Sequence, residues 1–263
     1  MDGAVGAIGL DRPQRLLALR QELRRLERGG SAAALPLALG LPAVDAALGG
    51  GLALGALHEI AGGTEDAAAD GFAAALLGRL AAARGRPVLW CPAGDDPHAP
   101  GLGGLGLDPG RVILVRAGRP ADRLWAMEEG LRAPALAGVL SELPELGLTD
   151  GRRLQLAAEA GGTLGLVLRR GGGRRGTAGE RPSAALSRWR VAAAPTPPDA
   201  TAAPAWPGGG PARLVGPPRW RIELTRCRGG RPGGWLVEWD DATDRFRMVA
   251  ALRDGADPAA PGG

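Results

Sequence analysis

The stretch from Glu59 to Asp70, EIAGGTEDAAAD, follows an apolar run and leads into the helix-like FAAALLGRLAAARG, where a nucleotide-binding protein places its phosphate loop. Such a loop works through backbone N–H groups in a Gly-rich turn, a Lys that reaches the β- and γ-phosphates, and a Ser or Thr hydroxyl on Mg²⁺. Gly62 and Gly63 permit the turn, but all 32 basic residues are Arg, so no Lys reaches a phosphate from anywhere in the chain. Glu65 and Asp66 add like-charge repulsion toward a polyphosphate. No G-x-S-x-G nucleophile elbow, no HExxH and no paired metal ligands occur. Cys91 and Cys227 lie in different apolar contexts and suggest neither a disulfide framework nor a metal site, and His58 and His98 are isolated from them.

The elements around this loop read as alternating strands and helices. Leu57 to Ile60 form a strand entering the loop, Phe72 to Arg84 a helix and Pro87 to Cys91 a buried strand, which together make a βαβ unit. Upstream, Pro42 begins a short helix carrying Asp45, and Gly49 to Gly51 break it. Downstream follow a strand at Arg111 to Val115, a helix at Pro120 to Arg132, a strand at Leu136 to Leu140, a helix at Thr149 to Ala160 and a strand at Leu164 to Leu168. This alternation predicts a mostly parallel sheet covered on both faces. After Arg170 come a Gly/Arg loop, a strand-like Leu186 to Val191, and a flexible Pro/Ala/Gly stretch from Ala192 to Pro218. Arg219 to Leu224 and Trp235 to Trp239 straddle RCRGGRPGG and read as an antiparallel hairpin on the sheet edge, followed by a disordered tail from Asp254. At the other end, RPQRLLALRQELRRLER sets Leu16, Leu19, Leu23 and Leu26 on one stripe of a helix whose opposite face is rich in Arg. That helix either docks on its own domain or serves a partner.

Composition sets the outer limits. A chain of 263 residues, 45% hydrophobic, is long enough for one large domain with appendages. No apolar run approaches the ~18 residues of a membrane span, and the first residues lack the pattern of an export signal, so a cytoplasmic location is expected. The absence of Lys, Asn and Tyr beside abundant Ala, Gly, Arg and Pro points to a GC-rich coding sequence. A sequence pI near 10.5 with a net charge of +4 therefore does not by itself mark a nucleic-acid binder.

LGLPAVDAALGGGLALGALHEIAG looks like the opening of the RecA recombinase core. Together with PSAALSRWRVAAAP and RWRIELTRCRGGRPGGWLVEWD it resembles the ImuA family, the RecA-like proteins of bacterial inducible-mutagenesis cassettes, from about Leu35 to Leu252. The resemblance implies an α/β fold: a RecA-like three-layer core with a mostly parallel twisted sheet, an N-terminal helix in residues 1–30 and a C-terminal antiparallel edge hairpin. The core would span 35–252, with flexible insertions near 169–183 and 192–218 and a tail at 253–263. Matched against the G-P-E-S-S-G-K-T of RecA, the chain offers Gly62, Gly63, Thr64, Glu65, Asp66, Ala67, Ala68 and Ala69, so three alanines replace Gly, Lys and Thr. Trp90-Cys91-Pro92 falls where RecA-like ATPases keep a water-activating carboxylate, Glu142 is a remnant of the Mg²⁺-associated acid, and Arg169-Arg170 replaces the nucleotide-sensing Gln. The expectation is a degenerate site without catalytic residues, cofactor or metal.

In RecA the loop after this last strand contacts single-stranded DNA. Its equivalent here would carry Arg169, Arg170, Arg174, Arg175 and Arg181, which reads either as a DNA contact or as a solvated insertion. Arg226 and Arg228 fall where the recombinase faces a neighbour's nucleotide, and they would pair with a partner's acids or with Glu238, Asp240, Asp241 or Asp244. Trp220, Trp235 and Trp239 read as core packing or as a docking face. The candidate partner surface is thus Leu16, Leu19, Leu23, Arg226, Arg228, Trp235 and Trp239. Family resemblance implies a damage-induced accessory of error-prone translesion synthesis, acting by recruitment. Its partners would be an ImuB-like Y-family-related protein and an error-prone replicative-type DNA polymerase subunit, with RecA and DNA as further candidates and no membrane. The alternatives are a weak DNA-dependent ATPase or RecA modulator, and a SulA-like inhibitor of cell division.

Overall fold

The computed structural model describes residues 35–63, 67–171, 182–196 and 216–252. Leu16, Leu19, Leu23, Thr64, Arg174, Arg175 and Arg181 lie outside them. The elements in chain order are α1 (Pro42–Leu48), β1 (Leu57–Gly62), α2 (Ala68–Arg84), β2 (Val88–Cys91), α3 (Ala99–Gly103), β3 (Val112–Leu114), α4 (Pro120–Arg132), β4 (Gly138–Glu142), α5 (Leu148–Gly161), β5 (Leu164–Arg170), β6 (Ser187–Ala193), β7 (Arg219–Cys227), β8 (Gly233–Asp240) and β9 (Arg245–Leu252).

All nine strands form one sheet in the order β3-β2-β4-β5-β1-β6-β7-β8-β9. From β3 to β6 neighbouring strands are parallel, and from β6 to β9 they are antiparallel. Period-2 alternation sorts the strand side chains onto two faces. Ile60, Leu140, Leu166, Leu168, Trp189 and Ile222 pack with α2, whereas Leu57, Val139 and Val167 pack with Met127 and Leu131 of α4 and Leu154 of α5. Helices on both faces of a mostly parallel sheet are what the βα alternation of the sequence dictates. Among the described residues no helix is long and apolar enough to cross a membrane.

Helix α2 owes its position to small side chains. Its sequence AADGFAAALLGRLAAAR is buried on several sides, Phe72, Ala73, Ala75 and Leu77 completely. Gly78 faces the Leu102–Leu107 segment so closely that a Cβ there would lie 2.6 Å from the backbone carbonyl of Gly106. On the same side an aromatic cluster joins α2 to the antiparallel strands. Phe72 stands 5.5 Å from Phe246 and 6.0 Å from Trp189, and Trp239 is 5.1 Å from Phe246 in an edge-on geometry. The Trp239 indole N–H donates to the Gly104 carbonyl at 2.9 Å, so even its polar atom is satisfied inside.

Three features differ from the sequence reading. β5 continues through Arg169 and Arg170, which therefore belong to the sheet and not to the loop after it. RFRMVAAL, to which the sequence reading assigned no element, forms β9 outside the β7–β8 hairpin and takes the sheet edge, so the hairpin lies one strand in from it. Trp235 and Trp239 point to the α2 face and are buried, which removes them from the candidate partner surface. The cause is their spacing in β8, where Trp235, Val237 and Trp239 share one face while Leu236 and Glu238 occupy the other.

The Gly78 contact reverses an ordinary expectation. In an exposed helix Gly→Ala stabilises by about 1 kcal/mol, but Gly78→Ala should destabilise this protein by about 1–3 kcal/mol through overpacking. Urea unfolding of the two proteins measures the sign, and a gain in stability would show that α2 stands farther from Gly106 than described.

Candidate functional site

The position of a phosphate loop is the turn from β1 into α2. β1 is buried along its whole length and ends at Gly62. A Cβ on Gly62 would meet the Ala69 methyl at 2.5 Å, so this glycine is required by close packing against the start of α2. Ala68 and Ala69 are buried in the first turn of α2, and Ala67 caps it without a side-chain hydrogen bond. None of the three carries a donor for phosphate or a ligand for Mg²⁺ beyond its backbone.

Charge returns one residue later. Asp70, in the first turn of α2, accepts from Arg170 Nη2 at 2.7 Å. Arg170 Nε donates to Glu142 Oε1 at 2.5 Å, and the other oxygen of Glu142 accepts from the Ala93 amide at 3.1 Å. The remnant acid of β4, the end of β5 and the start of α2 are thus joined through one guanidinium. Of the three, Arg170 is 39% exposed and the two carboxylates are more enclosed. The Glu142 carbonyl also accepts from Arg123 Nε at 2.9 Å, and Arg123, buried in α4, further donates to the carbonyls of Ala117 and Gly118. Beside them, Cys91 is paired in register with Ser141 at the end of β2. Burial pushes its thiol up to about 11, against the opposing Arg123 charge and a Ser141 hydrogen bond, so Cys91 is an inert thiol.

A second network, which sequence reasoning missed, lies on the other face of the sheet. Glu59, in the middle of β1, is buried and accepts from the Ser183 hydroxyl and from Arg188 Nε at 3.1 Å, with Arg169 Nη1 at 3.6 Å. Arg169 is therefore committed to a buried carboxylate. Arg226 donates to the Ser183 carbonyl at 3.0 Å and joins the same network. Glu238, expected as a partner of Arg226 or Arg228, instead takes Arg219 at 2.5 Å and Arg247. Arg228 is exposed, with its backbone N–H on the Leu186 carbonyl. The available signal for Glu59 was a charge inside the otherwise apolar LHEIAG strand, since a buried acid requires a partner.

His58, the neighbour of Glu59, faces the α2 side. Its Nε2 lies 2.9 Å from the Ala53 carbonyl, so Nε2 carries the proton, and Nδ1 accepts from the Ser187 hydroxyl at 2.6 Å, which itself accepts from the Trp189 indole at 2.9 Å. This chain fixes β1 to β6. Burial lowers the His58 pKa to about 4, only partly offset by the Ala53 hydrogen bond. Among the described residues no group of His, Cys, Asp and Glu could hold a metal ion.

The architecture defines a class. No protein-family model matches the chain. The crystal structure of the RadB recombinase is similar over 79% of this chain and 96% of its own, with a TM-score of 0.54 and 14% identity, a likeness of fold alone. The domain has a RecA-like α/β fold. Protein ImuA from two strains of Caulobacter vibrioides is 42% identical over 244 residues, covering 86% of this chain and 94% of the relative. The chain belongs to the ImuA family. A shorter likeness, 32% identity over 80 residues, relates 30% of the chain to 48% of the cell division inhibitor SulA of Edwardsiella piscicida.

His58 makes stability depend on pH in a defined direction. Its folded pKa lies below the ordinary 6.5, so the unfolded chain binds the proton more readily and stability falls as pH drops from about 6.5 toward about 4. The loss from this residue should be about 2 kcal/mol between pH 7.5 and pH 5. Urea unfolding at both values, with His58→Gln as reference, should show a smaller fall in the variant; equal falls would mean that His58 does not titrate differently in the two states.

Proposed function

We propose that this chain is a non-catalytic RecA-like accessory protein of a damage-induced, error-prone translesion synthesis assembly, acting in the cytoplasm by recruiting other proteins. Membership of the ImuA family supports a role in mutagenesis. The observation that carries the non-catalytic reading is the packing of Ala68 and Ala69, which stand where a phosphate loop needs an ammonium and a hydroxyl. Arg170 at the end of β5 is also directed at carboxylates, those of Asp70 and Glu142. The partners in this reading are an ImuB-like Y-family-related protein and an error-prone replicative-type polymerase subunit, with RecA as a further candidate.

For DNA contact, Arg169 drops out because it pairs with buried Glu59, and Arg170 because it pairs with two acids. The 80-residue likeness to SulA favours a second reading, inhibition of cell division, and filamentous cells on overexpression would support it.

Two measurements test the main reading. Purified protein should hydrolyse no ATP above background with Mg²⁺, with or without single-stranded DNA, and stoichiometric turnover would overturn the non-catalytic assignment. The full chain should co-purify with an ImuB-like protein. Arg226 and Arg228 should be probed by charge reversal, because deleting 219–252 would remove three strands of the sheet. Failure of the full chain to bind would remove the recruitment reading.

A further inference from the structure

Ligands of open α/β sheets sit outside the carboxyl ends of the parallel strands. Three elements converge there in this chain, and each presents one charge: Asp70 from the first turn of α2, Glu142 from the last residue of β4 and Arg170 from the last residue of β5. Arg170 separates from its partners by 100 and 28 positions in sequence, so the contacts are tertiary and not a local helix pairing. One edge of its fork, Nε, takes Glu142 at 2.5 Å, and Nη2 takes Asp70 at 2.7 Å. The Ala93 amide holds the second oxygen of Glu142, which fixes that carboxylate against the loop after β2. Asp70 also meets the positive end of the α2 dipole.

We propose that the Arg170 guanidinium is the resident cation of the former phosphate site. It holds α2, β4 and β5 together where a RecA-like ATPase would need a metal–nucleotide complex. This assignment rests on the reading that the site turns over no nucleotide. Two carboxylates bonded to one guanidinium balance each other through it. Without it the two carboxylates lose the cation they share, and a different cation can take its place. Arg suits the position because its planar fork serves two acceptors in fixed directions and stays charged at any physiological pH. An ordinary surface ion pair would predict no such dependence, since its partners are separately hydrated when it is broken.

The test is thermal unfolding of the full chain at constant ionic strength, in NaCl alone or with part of it replaced by MgCl₂ or CaCl₂. The wild type should melt at the same temperature in all three. Arg170→Ala should melt lower by about 3–8 °C in NaCl, and both divalent ions should restore part of that loss. Arg170→Lys should recover part of it without divalent ions. The double variant Arg170→Ala/Glu142→Gln should lose the divalent response, because a single carboxylate remains. Arg170→Gln, which keeps most of the side-chain volume, should repeat the pattern if the alanine variant does not fold. An Arg170 variant that melts like the wild type, or gains nothing specific from divalent ions, overturns the assignment. So does a double variant that gains as much as the single one. ATP turnover by the wild type would defeat the non-catalytic reading itself, independently of these melting curves.

Discussion

The arrangement depends on how closely α2 can lie against its surroundings. Alanine and glycine line much of this helix, so its backbone reaches the Gly106 turn on one side and the end of β1 on another without intervening side-chain volume. Close approach of this kind has little slack, because interiors are packed at crystal-like density and a single methyl is felt. The aromatic cluster of Phe72, Trp189, Trp220, Trp239 and Phe246 then fills the wider gap between α2 and the antiparallel strands. Small residues therefore set where the helix stands, and large ones hold the β6–β9 meander to it. Ala67 to Ala69 continue the alanine surface up to the helix start.

The two sheet faces handle charge differently. On the α2 face, the described interior is apolar apart from the His58–Ser187–Trp189 hydrogen bonds until the strand ends, where Arg170 meets its acids. On the α4–α5 face, charge penetrates the interior: Glu59 is enclosed by Arg169, Arg188 and Ser183, and Glu128 by Arg132 at 2.6 Å and Arg153 at 2.5 Å. Breaking such a buried pair from one side costs several kcal/mol, typically about 3–5, because the remaining charge is stranded. These contacts join elements distant in sequence, β1 to β5 and β6 in one case and α4 to α5 in the other. They specify which strands and helices lie side by side more than they add to net stability.

The βα order and the limits of α4 were legible in the sequence, because periodicity and Pro120 are local signals. The end of β5 was not: apolar content stops at Leu168, and two arginines read as solvent-facing loop unless the buried Glu59 and the Asp70–Glu142 pair are already known. β9 escaped for a related reason, since Arg245 and Arg247 flank Phe246 and the strand ends in a run of small residues without clear alternation. Trp235 and Trp239 were ambiguous because alternation says that they share a face but not which face is inside. Of the site, Glu142 was visible as an acid at a strand end, whereas Asp70 was not singled out, and its partner lies 100 residues away. Family likeness supplied the fold and the alignment of the loop; it said nothing about what fills the gap left by the lost lysine.

Arg170 also changes what this domain can sense. In a nucleotide-driven relative the cation at this place arrives with a phosphate chain and leaves after hydrolysis, so the spacing of its helix and strands follows the energy charge of the cell. A guanidinium on the last residue of β5 is covalently part of the sheet. It cannot be chelated, exchanged or released with ADP. If the site turns over no nucleotide, as proposed, the geometry of this end of the sheet is set at synthesis, and control over when the protein acts comes from its amount or its partners.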